Sequence, residues 1–237
     1  MTERGLISVV IPVYNGERYL TEALDSVLAQ RYPDIEIIVV NDGSTDRTEE
    51  IMKSHAEVRY FSQSRQGAAA ARNSGVNKSS GEFLAFLDAD DLWTKDKLRV
   101  QTALFRADPG LDMVFGHVEQ FYSPELEGVL MDRIYLPSGS MPGYLPGAMI
   151  VRKDAFLRAG SFDAGFRIGE FIDWYLRAQE CGLRSHICQE VVLKRRIHNA
   201  NTGIRERDAR RDYLRVLKAS LDRRRASVST TGGGRIN

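Results

Sequence analysis

Three near-continuous apolar runs constrain this chain more than any other feature: "LISVVIPVY" (6–14), "IEIIVVND" (35–42) and "EFLAFLD" (82–88). Apolar residues at successive positions fit strands covered on both faces, as in a parallel sheet. Parallel neighbours need crossover connections, and the intervening segments supply them. Between the first two runs, Tyr19, Leu20, Ala23, Leu24, Val27 and Leu28 recur at helical spacing, with Asn15 placed to cap the start and Pro33 beyond the end. Residues 44–56 read as a helix entered through Ser44 or Thr45, "VRYFSQ" as a short strand and "GAAAARNSGVNKS" as a helix. A further helix is expected over 94–108, with Thr94 as its cap. The resulting βαβαβαβ order predicts an α/β fold: a Rossmann-type, mostly parallel sheet with helices on both faces.

The second half is less regular. Residues 111–122 read as a strand, 123–147 as mostly loop because of their Gly, Pro and Ser, and "HICQEVVLKRRIH" as a late strand. Two amphipathic segments lie between, the second over about 170–181 with Ile172, Tyr175 and Leu176 on one stripe. Residues 205–225 carry nine Lys/Arg against four Asp/Glu, and Tyr213, Leu214, Val216, Leu217 and Leu221 provide an apolar face. This helical appendage packs on the domain or on a second copy, or meets an anionic membrane or acidic partner. The tail "ASVSTTGGGRIN" has the composition of a disordered segment. The chain thus divides into 1–110, 111–204 and a C-terminal part, 205–237.

Net charge is +1 over 237 residues, so nothing global points to nucleic acid. Cys181 and Cys188 are too few for a disulfide framework. No apolar leader or membrane-length run is present, and a cytoplasmic location is expected, with peripheral contact at the inner membrane face left open.

The polar clusters "YNGE", "NDGSTD" and "DADD" each follow a strand, so they collect at the carboxyl edge of the sheet, where open α/β folds bind ligands. Asp88 and Asp90 form an Asp-x-Asp of hard oxygen ligands suited to Mg²⁺ or Mn²⁺. A cation relieves the repulsion among Asp88, Asp90 and Asp91, although Asp91 could instead begin the following helix. Tyr14 can stack on a base, Asp42 can accept from a base N–H, and Arg72 can neutralise a carboxylate or phosphate.

These segments, "VVIPVYNGERYLTEALDSVLAQRYPDIEIIVVNDGSTDRT" and "RQGAAAARNSGVNKSSGEFLAFLDADDLW", resemble the N-terminal half of a family 2 glycosyltransferase of the GT-A fold. The likeness continues more loosely through "GAMIVRKDAFLRAGSFDAGF" and "GEFIDWYLRA" to "RRIHNANTG". It implies a nucleotide-diphosphate-sugar donor, UDP-linked, and inversion at the anomeric carbon. Pro12, Tyr14, Asp42 and Arg72 match positions around the nucleotide, with Asp88 near the ribose, Asp90 on the cation and Asp91 in support. His198 matches a histidine able to reach the metal or diphosphate. Arg195, Arg196 and Asn201 are candidate phosphate contacts.

The general base is less plain. The family often shows a Glu-Asp pair where this chain has Glu170 followed by Phe171. Glu170 is the first candidate and Asp173 the second, each with helix capping or a salt bridge to Arg177 as its structural alternative. Trp174 is either a core aromatic or a stacking surface for acceptor or sugar, and Trp93 a core or wall residue. His55, His117 and His186 read as structural. The expected activity is metal-assisted transfer of a sugar to a hydroxyl on a glycan, glycolipid, peptide or small molecule. The alternatives are a non-catalytic module of the same fold, binding a nucleotide-sugar or a protein, and a nucleotidyltransferase. "PVYNGERYL" lacks the Gly-rich basic loop that the last would need.

Overall fold

The computed structural model describes residues 5–126, 139–199, 201 and 210–231. The expected order is present in the first half: β1 (Ile7–Val13), α1 (Leu20–Leu28), β2 (Ile35–Asn41), α2 (Thr48–Lys53), β3 (Val58–Ser62), α3 (Ala68–Lys78) and β4 (Phe83–Phe86). The short β5 (Leu92–Trp93) and α4 (Lys97–Ala107) follow. The second half adds β6 (Met113–Tyr122), β7 (Met141–Pro142), β8 (Ile150–Arg152), α5 (Lys153–Ala159), α6 (Glu170–Glu180), β9 (Ser185–Ile197) and α7 (Arg210–Thr231).

The strands form one curled, mostly parallel sheet in the order β3-β2-β1-β4-β8-β6-β9-β5, with β7 paired to β6. β1 through β4 are mutually parallel. β8 runs antiparallel between β4 and β6, and β9 then parallels β6 over most of its length. Connectivity reverses direction beside β1, which opens a crevice at the carboxyl ends of β1, β2 and β4.

Side-chain alternation divides the core. Val9 and Ile11 pack with Leu24 and Leu98 on one face, while Val10 and Phe86 pack with Val76, Phe156 and Trp174 on the other. Gly75 lets α3 approach the sheet, because a Cβ there would overlap the Val10 side chain.

Three helix starts differ from expectation. α1 begins at Leu20, and Asn15 instead sits at φ +51°, its side chain accepting from the Thr45 N–H at 2.9 Å. Neither Ser44 nor Thr45 caps α2; Asp46 accepts from the Thr48 N–H at 3.0 Å. Thr94 donates its hydroxyl to the Val191 carbonyl at 2.7 Å, and α4 starts at Lys97. In each case the polar side chain ties one loop to another element, a tertiary use that outweighs local capping.

α7 packs on α6 by its ion-forming face. Ser220 and Arg223 both bond Glu180, at 2.7 and 2.6 Å, while Val216 is buried. Of the expected apolar face, Leu214, Leu217 and Leu221 point away from the domain, while Tyr213 lies beside Gly169. The helix continues through Thr231, so the first part of the expected disordered tail is helical. The rest of that tail and residues 202–209 lie outside the described residues. Among the described residues, no helix is long and apolar enough to cross a membrane.

Candidate active site

Pro12 shows how β1 opens the site. The Val10 carbonyl accepts from the Leu87 N–H, so alternate residues of β1 face β4. Pro12 faces the same way, two residues beyond that last bond, where its missing N–H has no ladder partner to serve. Pro12 is itself buried, so it shapes the edge and does not present its ring there. Tyr14 follows, 42% exposed, with the Arg65 guanidinium 3.2 Å above its ring centroid.

Asp42 is buried at the end of β2 and organises the loop that carries Arg65. Its carboxylate accepts from the Gln63 amide at 2.9 Å and from the N–H groups of Gln66 and Gly67 at 2.8 and 2.7 Å. Three of about four acceptor positions are therefore used within the loop. Arg65 opens the second segment that carries the resemblance, but its contact with Tyr14 joins two strand–helix units and does not show in spacing along the chain.

Arg72 projects from α3 and is almost wholly buried. It donates to Asp88 at 2.6 Å and to Glu170, the first residue of α6, at 2.7 Å. Burial alone would lower its pKa, but the charges of Asp88 and Glu170 hold it above the ordinary arginine value. Arg72 thus joins the end of β4 to the start of α6.

Asp90 faces the other flank of the crevice. Its Oδ2 lies 2.8 Å from His198 Nε2 and 3.3 Å from Asn201 Nδ2. The Asp90–His198 contact is a direct hydrogen bond; adjacent ligands of an octahedral ion at about 2.1 Å stand about 3 Å apart, so a shared Mg²⁺ or Mn²⁺ would replace it with little change in their separation. Among the described residues, no group of three His, Cys, Asp or Glu could hold a metal by itself. Asp91 does not start a helix. It is buried, accepts from the Arg196 N–H at 2.8 Å, and has its pKa raised by burial and by Asp90 and Asp88.

Several expectations are corrected. Arg196 does not reach out to phosphate: its guanidinium donates to the Asp90 carbonyl and to Glu22, between the rings of Tyr19 and Phe121. Asp173 is only 3% exposed and is held by Arg177 at 2.9 Å and Arg223 at 3.2 Å, which removes it as a base. Trp174 is fully buried and stacked on Phe156 and Phe171, so it cannot meet acceptor or sugar. Phe171 also points into this core, against Phe115. Trp93 is a core residue whose indole N–H bonds the Gly147 carbonyl at 3.0 Å.

The sheet order and its acid-lined carboxyl edge define an α/β domain of the GT-A type. Residues 8–168 match the family described as glycosyl transferase family 2. An uncharacterized glycosyltransferase of Rickettsia typhi is 32% identical over 220 residues, covering 85% of this chain and 67% of that protein. Chondroitin synthase of Escherichia coli is 30% identical over 233 residues, but the match covers only 33% of that enzyme. The chain therefore belongs to glycosyltransferase family 2. Its fold is similar to that of crystalline S. aureus TarS 1-349, with a TM-score of 0.65 at 22% identity, covering 81% of this chain and 60% of that one.

Proposed function

We propose that this chain transfers a sugar from a UDP-linked donor to an acceptor hydroxyl, with inversion by single displacement. The observation that carries the reading is the Arg72 bridge, which sets Glu170 beside Asp88 at the strand-end acids. A UDP donor is favoured because the similarly folded TarS 1-349 has been crystallised with UDP and with UDP-GlcNAc.

In this reading, residues 1–110 bind the nucleotide and 111–204 shape the acceptor side. Tyr14 stacks on the base, and the Asp42-held loop closes that end. Asp88 faces the ribose. Asp90 and His198, in hydrogen-bond contact, would hold Mn²⁺ or Mg²⁺ on the donor diphosphate. Once bound, that ion is a Lewis acid that stabilises charge on the departing diphosphate. Asp91 and Arg196 hold the Asp90 loop in place. Glu170 keeps one oxygen on Arg72, and its other oxygen takes the proton from the attacking hydroxyl. With one base and no protein nucleophile, attack at C1 inverts the anomeric centre.

A second reading has its own observation. Phe171 is in the core and Asp173 is committed to two ion pairs, so of the two candidate carboxylates on α6 Glu170 is the one left for the role. If Glu170 is not a base, the domain binds donor without transferring it. The test is nucleotide release from UDP-sugars with Mn²⁺ and a panel of hydroxyl acceptors. Glu170→Gln should lower turnover by about 10²–10⁴-fold with donor binding kept. Metal-dependent donor binding without turnover would support the binding module. No thermal shift with any nucleotide-sugar would refute both.

A further inference from the structure

The outward face of α7 is unexplained by any chemistry at the sheet edge. Leu214, Leu217 and Leu221 are 68%, 55% and 54% exposed, a contiguous stripe that a soluble surface normally avoids. At 100° per residue, these three leucines fall within about 60° of arc. Arg211, Lys218 and Arg225 recur every seven residues along one border of that stripe, and all three are exposed.

We propose that this face of α7 docks on an anionic lipid bilayer. The leucines would enter the boundary between headgroups and acyl chains while the bordering cations meet lipid phosphates. Charge complementarity selects this occupant. A second copy packed antiparallel through the leucines would set its own cation row beside Arg211, Lys218 and Arg225. A nucleic acid would satisfy the cations but leave the leucines in water. The opposite face of α7 is already taken: Val216 is buried, and Arg223 pairs with Asp173 and Glu180. The helix is therefore held to the domain with its apolar stripe presented outward. Tyr213, at the start of that stripe, packs beside Gly169, the residue before Glu170. The proposal does not depend on the catalytic reading, because its readout is partition and not turnover.

The test is co-sedimentation of the full chain with large unilamellar vesicles. One set is phosphatidylcholine alone; the other contains roughly one phosphatidylglycerol in four, a typical anionic surface. The chain should sediment with the anionic set, bind the neutral set far less, and dissociate as salt is raised. Leu214→Glu/Leu217→Glu should lower partition at least about tenfold, since each buried CH₂ is worth about 0.8 kcal/mol. Arg211→Gln/Lys218→Gln/Arg225→Gln should lower it about a hundredfold, at about 1 kcal/mol per basic residue. Unchanged melting curves would show that both variants fold, and the salt response of the unaltered chain needs no variant. Absence of binding to anionic vesicles at millimolar lipid would overturn the proposal, as would equal partition of all three proteins. A concentration-dependent dimer in sedimentation velocity, dissolved by Leu214→Glu/Leu217→Glu, would assign the stripe to a second copy and also overturn it.

Discussion

Lys97 makes a sharp prediction about stability. Its side chain is fully buried; the ammonium donates to Gln101 Oε1 at 2.6 Å and lies 5.0 Å from the Trp93 ring centroid. Burial pushes its pKa down to about 7. The unfolded chain, with a lysine pKa of about 10.4, binds more protons between about pH 7 and 10, so stability rises with pH there. At 1.36 kcal/mol per pH unit of difference, holding Lys97 inside costs about 4 kcal/mol at pH 7, and this penalty falls by about 2 kcal/mol by pH 9. Cys188 acts in the opposite sense at higher pH. Burial pushes its thiol up to about 11, so the folded state gains protons relative to the unfolded above about 9. The informative window is therefore about pH 7–9. Lys97→Met removes the charge but leaves Gln101 Oε1 without its donor, a loss of about 1–3 kcal/mol. The variant should be more stable than the unaltered protein by about 1–3 kcal/mol at pH 7, and this advantage should vanish or reverse toward pH 9. Urea denaturation at several pH values measures both quantities. An advantage that does not change between pH 7 and 9 would refute the reasoning, because it would mean that the ammonium is not what burial penalises.

The remaining predictions concern the site and its support. Asp90→Asn should abolish the Mn²⁺-dependent part of any donor-induced thermal shift and lower turnover at least about 10²-fold, whereas a metal-independent shift should persist. Tyr14→Ala should weaken UDP binding by about 1–3 kcal/mol by calorimetry, the range for stacking a base on an aromatic ring, with melting temperature little changed because Tyr14 is half exposed. Asp173→Asn should destabilise the protein by about 1–3 kcal/mol, since it removes the carboxylate charge that Arg177 and Arg223 share while Arg223 keeps Glu180 and Arg177 keeps the Ser161 carbonyl. The folded fraction of that variant should keep turnover within about tenfold, and a far larger loss in kcat with normal stability would restore Asp173 as a base.

The first half of the fold was legible because its signal is local. Val9, Val10 and Ile11 are consecutive apolar residues that face opposite sides of one sheet, and both sides are buried. The strand-end acids were equally legible as a group, since each follows a strand and all strands of β1–β4 run the same way. Helix starts were less so. Asn15, Ser44 and Thr94 have the right chemistry for caps, but Asn15 and Ser44 join the β1–α1 loop to the β2–α2 loop, and Thr94 joins β9. A cap and a long-range tie use the same side-chain atoms, and spacing along the chain does not distinguish them.

The same ambiguity governed the choice of base, and the cations that reach α6 from other elements treat the two candidates differently. From α6 alone, Glu170 and Asp173 lie on nearly one helix face, three residues apart, and each could reach substrate. What separates them is which cations arrive from elsewhere. Arg72 comes from α3 to Glu170 and simultaneously holds Asp88, so the pair stays within the crevice. Arg223 comes from α7 to Asp173 and simultaneously holds Glu180, so the pair lies between two helices. That pairing also leaves the leucines of α7 outward, away from the domain, which was one of the surfaces open to its apolar face. Hydrophobic periodicity identified α7 as amphipathic but did not say which face would dock. The polar groups of α6 bear on it: Ser220 and Arg223 meet Glu180, and Arg223 adds a second cation to Asp173, which Arg177 already pairs.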